Sequence, residues 1–191
     1  MKKSSIIFLI FIFLLTACSQ NVTRVSLNNL SDNYGLDDAK SDNCVIFEDG
    51  AITSGQSVWD SFIKKTINSK PATVRLGFYY TLGDPSQYSE EYYEKIKDDY
   101  PILYIDDLSF DGKKYIIESI EDDELISKEY KYLLKYNGKP NSLNALFSEY
   151  TYYVLVNDNT LTWADIEHGM LSSQSGDSID HYLVYSDLVM K

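Results

Sequence analysis

Residues 102–120 have the sequence ILYIDDLSFDGKKYIIESI, and this stretch decides the fold of the chain. Two runs rich in apolar residues, 102–110 and 113–120, flank Asp111-Gly112, a dipeptide that favours a tight turn between paired strands. Strands joined by so short a connection pair antiparallel, because a parallel pair needs a crossover of about a dozen residues or more. The stretch therefore predicts a β-hairpin inside an antiparallel sheet.

The segments on either side of this hairpin alternate between strand and helix patterns. Strands are predicted for the short β-branched, aromatic or apolar runs at residues 44–47, 73–82, 130–136, 150–156 and 181–185. Helices are predicted for residues 58–67 with Ser57 as the cap, for residues 86–100, and for the segment that follows Thr162. Together they predict one α+β domain over residues 44–191: a twisted antiparallel sheet of five to seven strands with two or three helices packed on one face.

The first 18 residues carry an export pattern. Lys2 and Lys3 precede residues 6–15 (IIFLIFIFLL), an apolar run that is too short for a helix to span a bilayer. Leu15-Thr16-Ala17-Cys18 follows and resembles the lipobox of bacterial lipoproteins, in which an aliphatic residue and two small residues precede an obligatory cysteine. The resemblance implies that residues 1–17 are a removable signal peptide and that Cys18 receives a diacylglyceryl group. We therefore expect two acyl chains to hold the protein on the outer face of the cytoplasmic membrane.

The segment after the lipobox, residues 18–43, is polar and shows no sustained hydrophobic period. It is therefore predicted to be a lipidated, flexible tether. A flexible chain of this length has an end-to-end distance of about 25–30 Å. The domain is accordingly expected to work close to the membrane.

The composition limits the partners. The chain has 17 Lys and Arg against 29 Asp and Glu, a formal net charge of −12. Nucleic-acid binding relies on clustered Lys and Arg, so no nucleic-acid partner is expected. The abundance of Tyr, Asn, Ile, Lys and Asp is typical of an AT-rich genome and favours a Gram-positive source. Because Cys18 is assigned to the lipid, Cys44 has no cysteine partner and is either a buried residue or a free thiol.

Candidate catalytic and metal-binding groups are few. His168 follows Glu167 and His181 follows Asp180, but this spacing matches no established ligand motif, so both histidines are predicted to be surface or structural residues. The acidic residues 121–124 and 32–38 lack the alternating ligands and closing Glu of an EF-hand loop. No metal and no cofactor is therefore predicted.

The 17 tyrosines are the most unusual feature of the composition. Tyr79 and Tyr80, and likewise Tyr152 and Tyr153, are adjacent within predicted strands, so one tyrosine of each pair faces each side of the sheet. One face must pack on helices, while the other can present an amphipathic tyrosine surface to a protein or envelope partner. These four residues are the candidate binding residues. The alternative is that they fill a half-exposed sheet, where tyrosine is common.

The domain also resembles uncharacterised lipoproteins of Gram-positive bacteria. The shared pattern consists of Trp59-x-x-Phe62, Val74-Arg75-Leu76, Tyr80-Thr81-x-Gly83-Asp84-Pro85 and the Asp111-Gly112 hairpin. This resemblance implies a class and a location but no chemistry.

Two classes of function remain open. The favoured one is a non-enzymatic, membrane-anchored module that binds a protein or an envelope component. The alternative is an extracytoplasmic hydrolase or metal-dependent enzyme that uses His168, His181 and nearby carboxylates.

Overall fold

The computed structural model describes residues 24–142, 144–172 and 178–191. The predicted signal peptide and Cys18 lie outside these residues. Among the described helices, none is both long and apolar enough to cross a bilayer.

The predicted hairpin is confirmed, but its connection has four residues, 111–114, where the sequence predicted two. Strands β4 (Ile102–Phe110) and β5 (Tyr115–Glu121) pair antiparallel. The turn between them is held by Asp111, whose carboxylate Oδ1 accepts hydrogen bonds from the backbone N–H groups of Lys113 and Lys114 at 2.7 and 2.9 Å. The short polar side chain of Asp111 thus stabilises the turn that the sequence predicts at this position.

Six strands form the larger sheet, in the order β2-β1-β3-β4-β5-β6. Beside β4 and β5, these strands are β1 (Val45–Glu48), β2 (Ala51–Ser54), β3 (Ala72–Tyr80) and β6 (Glu124–Tyr130). All neighbours pair antiparallel except β1 and β3, which are parallel. The chain between those two strands contains a helix, as a parallel crossover requires. The strand at 44–47, which its position at the start of the domain predicts at an edge, therefore lies inside the sheet.

A second sheet of three strands follows. It contains β7 (Tyr132–Gly138), β8 (Phe147–Val156) and β9 (His181–Met190), all antiparallel. The chain passes from one sheet to the other at Lys131, whose backbone N–H donates to Asn157 Oδ1 at 3.3 Å. The α+β class is confirmed, and the larger sheet has the predicted number of strands. The strands are divided between two sheets, where the sequence predicted one.

The described residues form four α-helices: α1 (Leu36–Ser41), α2 (Gln56–Ile67), α3 (Glu90–Ile96) and α4 (Trp163–Leu171). Helix α3 has no buried residue, whereas the other three pack on the sheets. Helix α2 places Trp59 and Phe62 in the main core, which also contains residues of the smaller sheet. Helix α1 packs Ala39 against the opposite face of the larger sheet, and α4 packs Ile166 on the outer face of the smaller one. The helices therefore do not share one face. A central strand such as β3 is buried on both sides and needs cover on both.

The cap of α2 also differs from the prediction. The helix begins at Gln56, and the capping position is Gly55, whose φ is +79°. A Cβ at Gly55 would lie 2.5 Å from the carbonyl oxygen of Cys44, so both the backbone conformation and the close approach require glycine here. Ser57 lies within the first turn of the helix.

The predicted tether must be corrected for residues 24–43. Leu27 and Ala39 are buried in the domain, and the segment contains helix α1. Arg75 holds its first part, because a guanidinium N–H donates to the carbonyl oxygen of Val25 at 2.7 Å. The segment has too few apolar residues to show a period, yet two of them, Leu27 and Ala39, are individually buried. Residues 18–23 lie outside the described part of the chain.

Candidate functional site

A cleft of about 950 Å³ opens where β4 and β5 stop pairing. Their ladder joins Asp107–Phe110 to 115–118, and no further pair between these two strands is formed in the described chain. The cleft is lined by the end of β3, the start of β4, the end of β5, the start of β9 and the amino-terminal segment 27–34. We call it the β4–β5 cleft. Its volume is at the upper end of the range for small-molecule sites, roughly 300–1,000 Å³.

Asp106 lies at the point where the two strands separate. Its side chain belongs to the inner face of β4, between Tyr104 and Leu108, and the residue is only 4% exposed. The hydroxyl of Tyr182 on β9 donates to Asp106 Oδ2 at 2.7 Å. The other carboxylate oxygen, Oδ1, accepts no hydrogen bond from the described residues. One acceptor of a buried carboxylate is therefore left for a group that enters the cleft.

The surroundings of Asp106 disfavour its charge. Burial is the main cause that raises the pKa of Asp106 to about 6, and the nearby charges of Asp107 and Glu121 act in the same direction. The hydrogen bond from Tyr182 opposes this shift. The pKa of Tyr182 is itself raised, first by burial and then by the carboxylate of Asp106. Near neutral pH, Asp106 is thus ionised and Tyr182 is a neutral hydrogen-bond donor.

Two exposed aromatic rings lie at the mouth of the cleft. Tyr80 on β3 is 42% exposed and Tyr104 on β4 is 52% exposed. Their ring centroids are 6.1 Å apart in an edge-to-face arrangement. Both rings therefore have surface available to a ligand.

The charged groups of the cleft are of one sign. Asp32, Glu121 and Asp122 line it together with Asp106, whereas no Lys or Arg is among its described lining residues. Lys128 lies nearby, with its Nζ 3.8 Å from Glu121 Oε1. Both of these side chains are about half exposed, so this pair is largely screened by solvent. The cleft is accordingly an acidic, aromatic site.

The structure separates the four predicted binding tyrosines. Tyr80 lines the cleft, while Tyr79 is on the opposite face of β3. Tyr152 packs under α4, with its ring centroid 4.6 Å from that of Trp163. Tyr153 lies in the core between the sheets, 5.1 Å from the ring of Trp59. Of the four predicted binding tyrosines, only Tyr80 therefore lies at the mouth of the cleft, and the four do not form one surface.

The two histidines have different positions. His181 lines the cleft, and its ring Nδ1 lies 2.7 Å from the carbonyl oxygen of Ile179. His168 lies on α4. No group of three or more His, Cys, Asp or Glu side chains is arranged to hold a metal in the described residues. The described residues therefore contain no group of side chains that could hold the metal of the alternative function, a metal-dependent enzyme.

The acidic runs have structural roles. Asp122 and Asp123 form the turn between β5 and β6, with φ values of +50° and +64°. Such left-handed positions are tolerated by Asp better than by most residues. At the other run, Asp38 Oδ2 accepts the backbone N–H of Gly35 and caps α1. Cys44 is buried and lies 3.7 Å from the hydroxyl of Tyr34, so it is the buried residue of the two predicted alternatives.

Asp106 and Tyr182 were not among the predicted site residues. A signal for Asp106 is present, since it places an acid on the face of β4 that continues with the buried apolar residues Leu108 and Phe110. No comparable signal exists for its partner. Tyr182 is 76 positions away in the sequence, and only the packing of the two sheets brings it to Asp106.

No protein-family model, curated protein or solved structure matches this chain.

Proposed function

We propose that this chain is a lipid-anchored, extracytoplasmic binding module, not an enzyme, and that it takes its ligand in the β4–β5 cleft. The observation that carries the proposal is Asp106, a buried carboxylate at an open cavity whose second oxygen has no hydrogen-bond partner among the described residues. The export pattern at residues 1–18 supports the location. The resemblance of the domain to uncharacterised lipoproteins of Gram-positive bacteria supports the same location.

The energetics of Asp106 support a functional role. Burying a carboxylate costs free energy unless hydrogen bonds or opposite charges compensate. Here the compensation from within the protein is one hydroxyl, that of Tyr182, and nearby acids increase the cost. A polar but uncharged residue at this position would cost less free energy to bury. Groups kept at the expense of stability are typical of binding and catalytic sites.

The folded domain includes residues 24–43, and this restricts how far the cleft can lie from the membrane. Six peptide units join Cys18 to Arg24, where the described domain begins. Even fully extended, a segment of this length spans at most about 20 Å. Residues 27–34, which follow at once, form one wall of the cleft. A lipid on Cys18 would therefore hold the ligand site next to the bilayer surface.

Replacing Cys18 tests the anchor. Cys18→Ser removes the thiol that accepts the diacylglyceryl group, so we expect the variant to leave the membrane fraction or to remain unprocessed. Cys44→Ala is the matched control, because it removes the chain's other cysteine, which is buried in the domain. Fractionation combined with mass spectrometry of the mature amino terminus is the measurement. A Cys18→Ser protein that is fully processed and membrane-bound contradicts the lipid assignment.

Site-specific photocrosslinking in living cells tests the cleft. A photoreactive phenylalanine derivative, which keeps an aromatic ring, replaces Tyr104 at the mouth of the cleft or Tyr92 on α3, which has the same 52% exposure but does not line the cleft. We expect a discrete adduct, identified by mass spectrometry, from position 104 and not from position 92. Equal labelling at both positions, or none at position 104, would overturn the assignment of this cleft as the binding site.

A further inference from the structure

The lining of the β4–β5 cleft restricts the charge of its ligand. Four carboxylates line it and neither Lys nor Arg does so among the described residues. An anionic ligand would add to this charge with no partner in the lining, whereas a cation would offset it. The most buried carboxylate, Asp106, has an oxygen, Oδ1, to which no described residue donates, and this oxygen can accept a charge-assisted hydrogen bond or form an ion pair. Charge complementarity therefore favours a positively charged group at the floor of the cleft.

The apolar part of the lining restricts the kind of cation. Phe78, Leu103, Ile105 and the rings of Tyr80 and Tyr104 line the same cavity. A hydrated metal ion would gain little from these side chains, and no group of metal ligands is present in the described residues. An organic cation is stabilised by both the apolar and the aromatic side chains of the lining. Its alkyl groups bury apolar area, and aromatic rings attract a cation within about 6 Å. The volume of about 950 Å³ is ample for such a molecule.

From this combination we propose that the cleft binds an organic ammonium group, with Asp106 as its counter-ion at the floor and Tyr80 and Tyr104 against its alkyl part. This inference rests on the proposed function, since it names the ligand chemistry of the same site. The ammonium group has two possible sources, a small free amine or the lysine side chain of a partner protein. The chemistry is the same in both cases.

Titration calorimetry of the full chain in an uncharged detergent tests the inference. The probes are choline, spermidine and a trilysine peptide, and the control ligand is the uncharged isostere of choline, in which carbon replaces nitrogen. We expect at least one cation to bind about tenfold or more tightly than the isostere. Tightest binding by choline or spermidine assigns a small amine, and tightest binding by trilysine assigns a lysine side chain.

A matched pair of variants shows whether the binding uses Asp106. Asp106→Asn removes the counter-ion while keeping an oxygen that can accept the hydrogen bond from Tyr182, so we expect its affinity for the best cation to fall about tenfold or more. Asp123→Asn removes an acid of the neighbouring turn that is not in the cleft lining, and we expect it to bind as the unmodified chain does.

Two results would overturn the cation inference. One is a tightest-binding cation whose affinity is no greater than that of the isostere, and the other is the absence of binding by all three cations. Neither would by itself remove the proposed function, because crosslinking at position 104 reports any ligand of the cleft whatever its charge. Loss of both the crosslink and the cation binding would remove both proposals.

Discussion

At the scale of single residues, Asp106 lines the cleft and, when ionised, lowers the stability of the folded protein. Its pKa in the folded protein is about 6, above the ordinary value of 3.8. A carboxyl group with a raised pKa favours the folded state at low pH, where it is protonated in both states. This contribution is lost as the pH rises from about 4 through about 6. A difference of about two pH units corresponds to about 3 kcal/mol.

Asp106→Asn should therefore stabilise the protein at alkaline pH. The amide avoids the buried charge beside Asp107 and Glu121 and can still accept the hydrogen bond from Tyr182. We expect the free energy of unfolding at pH 8 to rise by about 2–3 kcal/mol, and the gain to shrink towards pH 4. Urea denaturation at the two pH values measures both effects, with Asp123→Asn as the charge-matched control, expected within about 0.5 kcal/mol of the unmodified chain. A variant that is less stable at pH 8, or equally changed at both pH values, is evidence against a buried charge at this position.

At the scale of elements, strands with an apolar face were predictable and solvent-facing ones were not. The hairpin of β4 and β5 follows from alternation and from the Asp111-Gly112 turn. Strand β6 was missed, because this edge strand is largely exposed and its charged side chains leave no apolar period. Strand β2 was missed because four residues after a turn carry too little pattern.

The division into two sheets and the pairing of Asp106 with Tyr182 could not have been predicted from local patterns. Both depend on how β9, near the end of the chain, packs on strands formed much earlier. An acid on an apolar face of β4 is a candidate functional residue, but the sequence does not show which side chain it contacts. The same holds for Tyr152 and Tyr153, whose strand alternation was predicted while the cover of both faces was not.

At the scale of the whole molecule, Arg75 links the body of the domain to the segment that leads to the predicted anchor. Its side chain is 1% exposed. It donates to both carboxylate oxygens of Asp107, at 2.9 and 2.6 Å, and to the carbonyl oxygen of Val25. Arg24 adds a weaker contact to the same carboxylate at 3.6 Å. Because residues 27–34 also form a wall of the cleft, this link connects the segment after the predicted anchor to the proposed ligand site.

Arg75→Met tests this link, since methionine fills part of the buried volume but cannot hold Asp107 or Val25. We expect a loss of stability of about 1–3 kcal/mol, because buried groups that lose their partners are costly. Hydrogen exchange should accelerate mainly in residues 24–34, while β7 and β8, which lie in the other sheet, stay protected. Lys40→Met is the control: it breaks a partly exposed pair with Glu48 and should cost no more than about 1 kcal/mol, without faster exchange in residues 24–34. If Arg75→Met raised exchange equally in both sheets, the residue would support the core as a whole, and the amino-terminal segment would not depend on it in particular.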